Sequence, residues 1–161
     1  AFAPFKVKVS HKRLKWLELD VHPVNVHLTE AFAAMTTILF FITLFIHELL
    51  GINFFTVHDF FVLLLPLFIM AGGATGLIDG KVRYRKLGTP YLKLKITMAI
   101  GLLVVSLVML VVHFQNPERT DTVFLLLEMV LVLIAMLLAA LLGWFGAKLV
   151  CPIVPRGTEI K

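Results

Sequence analysis

Four long apolar runs constrain the fold of this chain more than any other feature. Each reaches the roughly 20 residues that a helix needs to cross a membrane, and they cover about residues 31–50, 59–78, 94–113 and 123–147. Only 16% of the chain is charged, whereas a soluble domain carries about a quarter. The runs do not alternate like the strands of a membrane barrel. The sequence predicts an all-α integral membrane protein: four transmembrane helices in a compact bundle, forming one domain over 1–161.

The basic residues predict the orientation of these helices. Of the 15 Lys and Arg residues, all but Arg119 lie before the first run, between the second and third or at the start of the third, or after the fourth. Basic residues stay cytoplasmic, so we expect cytoplasmic termini and a cytoplasmic 79–93 loop. Residues 1–30 become a basic cytoplasmic or interfacial segment, and 148–161 a cytoplasmic tail. We expect the inner membrane of a prokaryote, with anionic lipids at the basic loop and no nucleic-acid partner.

Small residues recur every four positions in two runs, which places each set on one helix face. Close helix packing uses such faces, although either set alone could arise by chance. Pro66 interrupts the second run and predicts a kink there. The predicted packing residues are Gly72, Gly76, Gly80, Ala135, Ala139, Gly143 and Ala147.

Histidines at both ends of the predicted bundle are candidate cofactor ligands. His47 ends the first predicted helix, His58 opens the second and His113 ends the third, so all three lie at the outer end. His22 and His27 lie at the cytoplasmic end. A b-type haem needs two facing imidazoles, and no metal other than haem iron is predicted. The alternative is that the outer histidines are solvated or hydrogen-bonded structural residues.

Glu128 is a carboxylate inside the fourth run, about five residues from its start. Intramembrane carboxylates are costly and are usually functional or paired. We predict a proton-accepting pair with His113; a protonated Glu128 bonded to a carbonyl is the alternative. Glu30, one turn beyond His27, and Asp79 are further candidate polar-site residues.

The stretch GGATGLIDGK lacks the spacing of a phosphate-binding loop. No hydrolase triad or zinc-protease helix is present either. We therefore expect no stand-alone catalytic activity.

Three stretches resemble segments of one family of small predicted four-helix membrane proteins of unknown function. HPVNVHLTE is similar to its HPxxVHFP signature, GGATGLIDG to its AxxTGxxD segment, and LLGWFGAKLVCPIVPRG to its terminal GWxGGxLV segment. The resemblance implies one polar site at the cytoplasmic end, for a haem, a quinone head group or a partner's surface. Its signature residues would be His22, Pro23, His27, Thr75, Gly76, Asp79, Gly143, Trp144, Gly146 and Leu149.

The chain departs from that family in two places. Leu28 and Thr29 replace the Phe-Pro after the second histidine, and Lys93, Leu94 and Lys95 stand where its third helix usually opens with a histidine. The second departure favours the outer histidines over the cytoplasmic ones as haem ligands.

Three functional hypotheses follow from the sequence. The leading one is a membrane subunit of a respiratory or photosynthetic electron-transfer complex, which binds haem b or contacts quinone. The first alternative is a cofactor-free structural or assembly subunit that docks other membrane-complex subunits. The second is proton or small-solute transport centred on Glu128, His113 and Pro66.

Overall fold

The structure, a computed structural model, describes residues 21–84, 90–117 and 119–150, with side chains for 21–81, 90, 92–117 and 119–146. It confirms four long apolar helices, each long and apolar enough to cross a membrane. The elements in chain order are α1 (Val21–Thr43), β1 (Glu48–Leu49), β2 (Ile52–Asn53), α2 (Phe54–Tyr84), α3 (Pro90–Gln115) and α4 (Thr122–Val150).

The helices form an up-and-down bundle in which each helix contacts its neighbours in sequence. A further contact between α1 and α4 closes the bundle. The short β1–β2 hairpin joins α1 to α2, and we call that side of the bundle the hairpin end. The opposite side, where α2 ends and α3 begins, carries Lys81, Lys93 and Lys95, and we call it the basic end.

The first helix begins and ends earlier than the sequence predicted. It starts at Val21 and ends at Thr43, whereas the apolar run covers 31–50. Thr29, Ala33 and Thr36 are buried at helical spacing, so the buried face of α1 extends into the polar stretch before residue 31. Residues 21–30 therefore belong to the helix and not to a segment before it. Residues 1–20 and 151–161, the rest of the predicted cytoplasmic segments, lie outside the described residues.

Local signals in the sequence explain where the other helices begin. Asn53 caps α2, because its Oδ1 accepts hydrogen bonds from the backbone N–H groups of Phe55 (2.9 Å) and Thr56 (3.3 Å). Asp121 caps α4 in the same way, accepting from Val123 N–H at 2.8 Å. Pro90 opens α3, where the missing N–H costs nothing.

The β1–β2 turn takes positive φ at Leu50 (54°) and Gly51 (78°), as a two-residue hairpin requires. Glu48 and Leu49, near the end of the first apolar run, therefore lie in this hairpin and not in a helix. In the second run, α2 continues through Pro66.

The outer surface of the bundle exposes many large apolar side chains. Phe40, Leu65 and Met109 are fully buried in the core, yet Leu137 is 60% and Val111 55% exposed. Only 28–33% of each candidate span is buried inside the protein. An apolar exterior of this extent is the pattern of helices that face hydrocarbon.

Small residues bring neighbouring helices close together near the basic end. A Cβ placed at Gly72 would lie 3.1 Å from Thr29 Oγ1, so α1 and α2 approach closely there. A Cβ at Gly143 would collide with Glu30 Oε1, so α4 and α1 do the same. Gly80 is buried, as are Ala135 and Ala139, while the side chain of Ala147 lies outside the described residues.

Candidate functional site

The basic end of the bundle holds a partly open cavity of about 450 Å³, lined by residues of all four helices. Its polar lining includes His22, Glu30, Asp79 and Lys95. Its apolar lining comes from Ile69, Leu92, Ile96, Leu102 and Leu142. The cavity therefore combines a charged part with an aliphatic part, the usual composition of a small-ligand site.

His22 projects from the first turn of α1 over the backbone of α2. A Cβ at Gly76 would lie 2.8 Å from its Cε1 and 3.3 Å from its Nδ1, so only a glycine there leaves room for the imidazole. The same Nδ1 lies 3.5 Å from Thr75 Oγ1, whose hydroxyl donates to the Ala71 carbonyl at 2.9 Å. Thr75 thus supplies a polar neighbour for the His22 ring, and Gly76 supplies the space for it.

Glu30 reaches into the cavity from the same helix. Its Oε2 lies 3.4 Å from His27 Nδ1, while Oε1 is buried with no hydrogen-bond partner among the described residues. A buried carboxylate oxygen without a donor is costly. The His27 side chain is 79% exposed, so it contacts Glu30 from the rim of the cavity.

Lys95 is a cavity residue that the sequence interpretation missed. It was counted among the basic residues that set the orientation, yet it is half-buried and interacts electrostatically with Asp79 and Glu30. A Cβ at Gly146 would lie 3.4 Å from its Nζ. The available signal was its position inside the third apolar run, two residues beyond Lys93.

A second polar cluster lies at the hairpin end, at the opposite side of the bundle. His113 is 4% exposed and lies between two carboxylates: its Nδ1 is 2.9 Å from Glu128 Oε1, and its Nε2 is 3.0 Å from Asp59 Oδ1. Glu128 is 1% and His58 0% exposed, and the two imidazole centroids are 5.4 Å apart. The structure brings together His113 and Glu128 as the sequence predicted, and adds Asp59.

Arg119 completes this cluster from the connection between α3 and α4. Its Nη2 lies 2.6 Å from His58 Nδ1 and 3.7 Å from Glu128 Oε1, and its Nη1 donates to Thr43 Oγ1. Burial lowers the pKa of the guanidinium, while the carboxylates of Glu128 and Asp59 raise it. The sequence interpretation missed Arg119 as a site residue, although it is the one basic residue assigned to the outer side.

His47 lies apart from the hairpin-end cluster in this structure, and its role as a third outer ligand stays a prediction. The residue lies after the end of α1 and before the β1–β2 hairpin, where it is exposed. Its ring packs against Phe55, with centroids 4.9 Å apart. The early end of α1 is the physical reason, because the chain leaves the helix four residues before His47.

Neither histidine pair, as placed, fits haem b. At the hairpin end both nitrogens of His113 contact carboxylates, and its ring is too close to that of His58 for a porphyrin to lie between them. At the basic end, His22 and His27 are five residues apart on one helix, about 140° around its axis. They therefore cannot face each other across a haem plane.

Most of the predicted signature residues lie around the basic-end cavity. His22, Pro23, His27, Gly76, Asp79, Gly143 and Gly146 line it, Thr75 contacts His22, and Trp144 lies on the adjoining α1–α4 surface. The side chain of Leu149 lies outside the described residues. No protein-family model, curated protein or solved structure matches this chain.

Proposed function

We propose that this chain is a multi-pass protein of a prokaryotic inner membrane, with its basic end in the cytoplasm, and that it serves an electron-transfer complex by binding a quinone head group in the basic-end cavity. The four apolar helices and the one-sided distribution of Lys and Arg support the orientation. The cavity is the observation that carries the ligand assignment.

The chemistry of the cavity matches both redox forms of a quinone. The oxidised form offers two carbonyl acceptors, for which the Lys95 ammonium and the His22 imidazole are donors at the cavity wall. The reduced form offers hydroxyl donors, and Glu30 presents a buried oxygen that lacks one among the described residues. The aliphatic part, with Leu92, Ile96 and Leu102, suits an apolar tail.

The fit to the resembling family supports the same site. Most of its signature residues in this chain line the cavity, including the motif glycines at 143 and 146 and the Asp79 carboxylate. One polar site at the cytoplasmic end is what the resemblance implies. The resemblance itself remains a proposal.

A binding experiment with matched lysine variants tests the quinone proposal. Protein in lipid nanodiscs is titrated with a short-tailed ubiquinone or menaquinone analogue, and bound ligand is measured by equilibrium dialysis. Lys95→Met removes a charged donor worth about 1.5–3 kcal/mol, so affinity should fall about tenfold or more. Lys93→Met is the control, because Lys93 lies on the same helix but is exposed.

Two results would contradict the assignment. One is the absence of saturable binding by the unaltered protein for either analogue. The other is an equal loss of affinity in Lys95→Met and Lys93→Met, which would indicate a general effect of positive charge on partition into the nanodisc.

A cofactor-free assembly subunit is the second candidate, favoured by a groove of about 520 Å³ between α1 and α4. Small residues Ala31, Ala34, Ala140 and Gly143 line it, and Trp144 at its edge is 62% exposed. Such grooves let another helix approach closely. Site-specific photo-crosslinking from Ala34 in native membranes tests this function, since a docking subunit predicts one defined product and a lipid-facing groove predicts none.

Proton or solute transport through Glu128 and His113 stays a prediction. Uptake into proteoliposomes that Glu128→Gln abolishes would support it, and unchanged uptake would contradict it.

A further inference from the structure

Three side chains of the types that ligate transition metals meet at the hairpin end. His58 comes from α2, His113 from α3 and Glu128 from α4, and one ligand atom of each lies within 4.8 Å of the others. All three side chains are buried. Two imidazoles and a carboxylate are ligands that suit zinc and other divalent first-row transition ions.

His58 is the most deeply buried of the three ligands, with the whole residue 0% exposed. Its Nδ1 lies 2.6 Å from Arg119 Nη2, while its Nε2 has no hydrogen-bond partner among the described residues. A cation at the position of the guanidinium would therefore bind Nδ1, the ring nitrogen on that side.

His113 already has the surroundings of a metal-bound histidine. Its Nδ1 is 2.9 Å from Glu128 Oε1, and its Nε2 is 3.0 Å from Asp59 Oδ1. Histidines that ligate metals almost always donate their other N–H to a carboxylate or carbonyl, which fixes the ring. The Asp59 side chain is 53% exposed, so it also offers a cation a route from the water at the hairpin end.

The Arg119 guanidinium occupies the place between the ligands where a metal cation would bind, which we call the cation position. Its Nη2 lies 2.6 Å from His58 Nδ1 and 3.7 Å from Glu128 Oε1, so the guanidinium contacts two of the three ligands. Arg119 lies on the α3–α4 connection with a positive φ of 52°, outside both helices. Movement of Arg119 therefore breaks no helical hydrogen bond, but the side chain must give up its contacts with Phe40 and Phe55.

We propose that His58, His113 and Glu128 form a binding site for one divalent transition-metal ion, Zn²⁺ or an ion of similar ligand preference, and that the Arg119 guanidinium occupies the cation position until the metal displaces it. The site is separate from the basic-end cavity and does not depend on the quinone proposal. Mg²⁺ and Ca²⁺ are not expected, because they prefer oxygen ligands.

Cobalt titration of the purified chain tests the site. The full-length protein, purified with a histidine-free tag and treated with a chelator, is titrated with Co²⁺ and followed by its visible d–d absorption. Zn²⁺ is then added in competition. We expect one saturable site per chain, with absorption that Zn²⁺ abolishes.

Four variants separate the site from non-specific binding. Glu128→Gln and His58→Gln should weaken Co²⁺ binding by about tenfold or more, since each removes a ligand. His47→Gln should leave it unchanged, because this histidine is exposed at the same end but outside the cluster. Arg119→Gln should strengthen binding by about tenfold, because it removes a competing positive charge.

Arg119→Gln keeps the proposal testable even if the ligand variants fail to fold, since it retains all three ligands, and a gain of affinity at one saturable site per chain is not the result expected of a misfolded protein. No saturable Co²⁺ absorption in the unaltered protein would overturn the proposal. An equal loss in His47→Gln and His58→Gln would do so too. Unchanged affinity in Arg119→Gln would overturn the role of Arg119 as the occupant of the cation position.

Discussion

Replacing Gly76 by alanine tests whether His22 is held against the backbone of α2. The new Cβ would lie 2.8 Å from His22 Cε1, 3.3 Å from Nδ1 and 3.4 Å from Nε2, whereas unstrained carbon contacts are about 3.5–4.0 Å. The imidazole must therefore retreat by roughly 0.7 Å or rotate away from Thr75, and overpacking of this kind typically costs about 1–3 kcal/mol.

Gly73→Ala is the matched control for this prediction. It lies three residues earlier in α2, and a Cβ there meets nothing within 4 Å. Both substitutions gain the same helix propensity, about 1 kcal/mol, so that gain cancels in the comparison. Gly76→Ala should be less stable than Gly73→Ala by about 1–3 kcal/mol in free energy of unfolding.

Thermal unfolding in detergent, followed by circular dichroism at the helix band, measures the difference. For a chain of this size 1 kcal/mol corresponds to about 2–4 °C in Tm, so Gly76→Ala should melt roughly 2–12 °C below Gly73→Ala. The NMR signals of the His22 ring should shift in Gly76→Ala alone. Equal melting temperatures together with unchanged ring signals would refute the contact.

Two further substitutions test the buried residues at and near the hairpin end. Glu128→Gln keeps the shape of the side chain but leaves His113 and Arg119 without their buried counter-charge, so unfolding free energy should fall by about 3–5 kcal/mol; a loss under about 0.5 kcal/mol, the range of surface changes, would show that the charge is not needed. Phe40→Ala should cost about 3–5 kcal/mol, because Phe40 is 0% exposed. Phe45→Ala, at a residue 85% exposed, should stay within about 0.5 kcal/mol, and equal effects of the two phenylalanines would contradict the core assignment.

The helices were predictable because length and apolarity alone determine what can span a membrane. The start of α1 was missed because HPVNVH is polar, and a search for apolar runs begins where the polar residues stop. The helix nevertheless includes these polar residues, and the buried Thr29 and Ala33 lie on one helix face on either side of residue 31. The end of α1 was missed because residues 44–46 are apolar, and hydropathy does not distinguish a helix from the turn that follows Thr43.

For the hairpin-end cluster, the sequence predicted only how far along its helix each residue lies. His113 and Glu128 lie close to the same end of adjacent helices, and that sufficed to pair them. The involvement of Asp59 and Arg119 depends on how each helix is rotated about its axis. Where outward and inward faces are both apolar, hydropathy does not encode that rotation. Lys95 was missed for a related reason. A basic residue near a helix end indicates the orientation of the helix in the membrane, but its position in the sequence does not show whether its side chain faces a cavity.

The contact between α1 and α4 determines when during synthesis the two sites can exist. Contacts between helices that are neighbours in sequence can form as each pair of helices emerges. The contact between α1 and α4, which closes the bundle, can form only after the last helix has been synthesised. Both polar clusters take residues from that helix, Glu128 in one and Gly143 in the other. An unfinished chain therefore lacks both sites and leaves Glu30 and His113 without their α4 neighbours. Insertion of α4 completes both ends in a single late step, so occupancy of either site would report that the whole chain has been assembled.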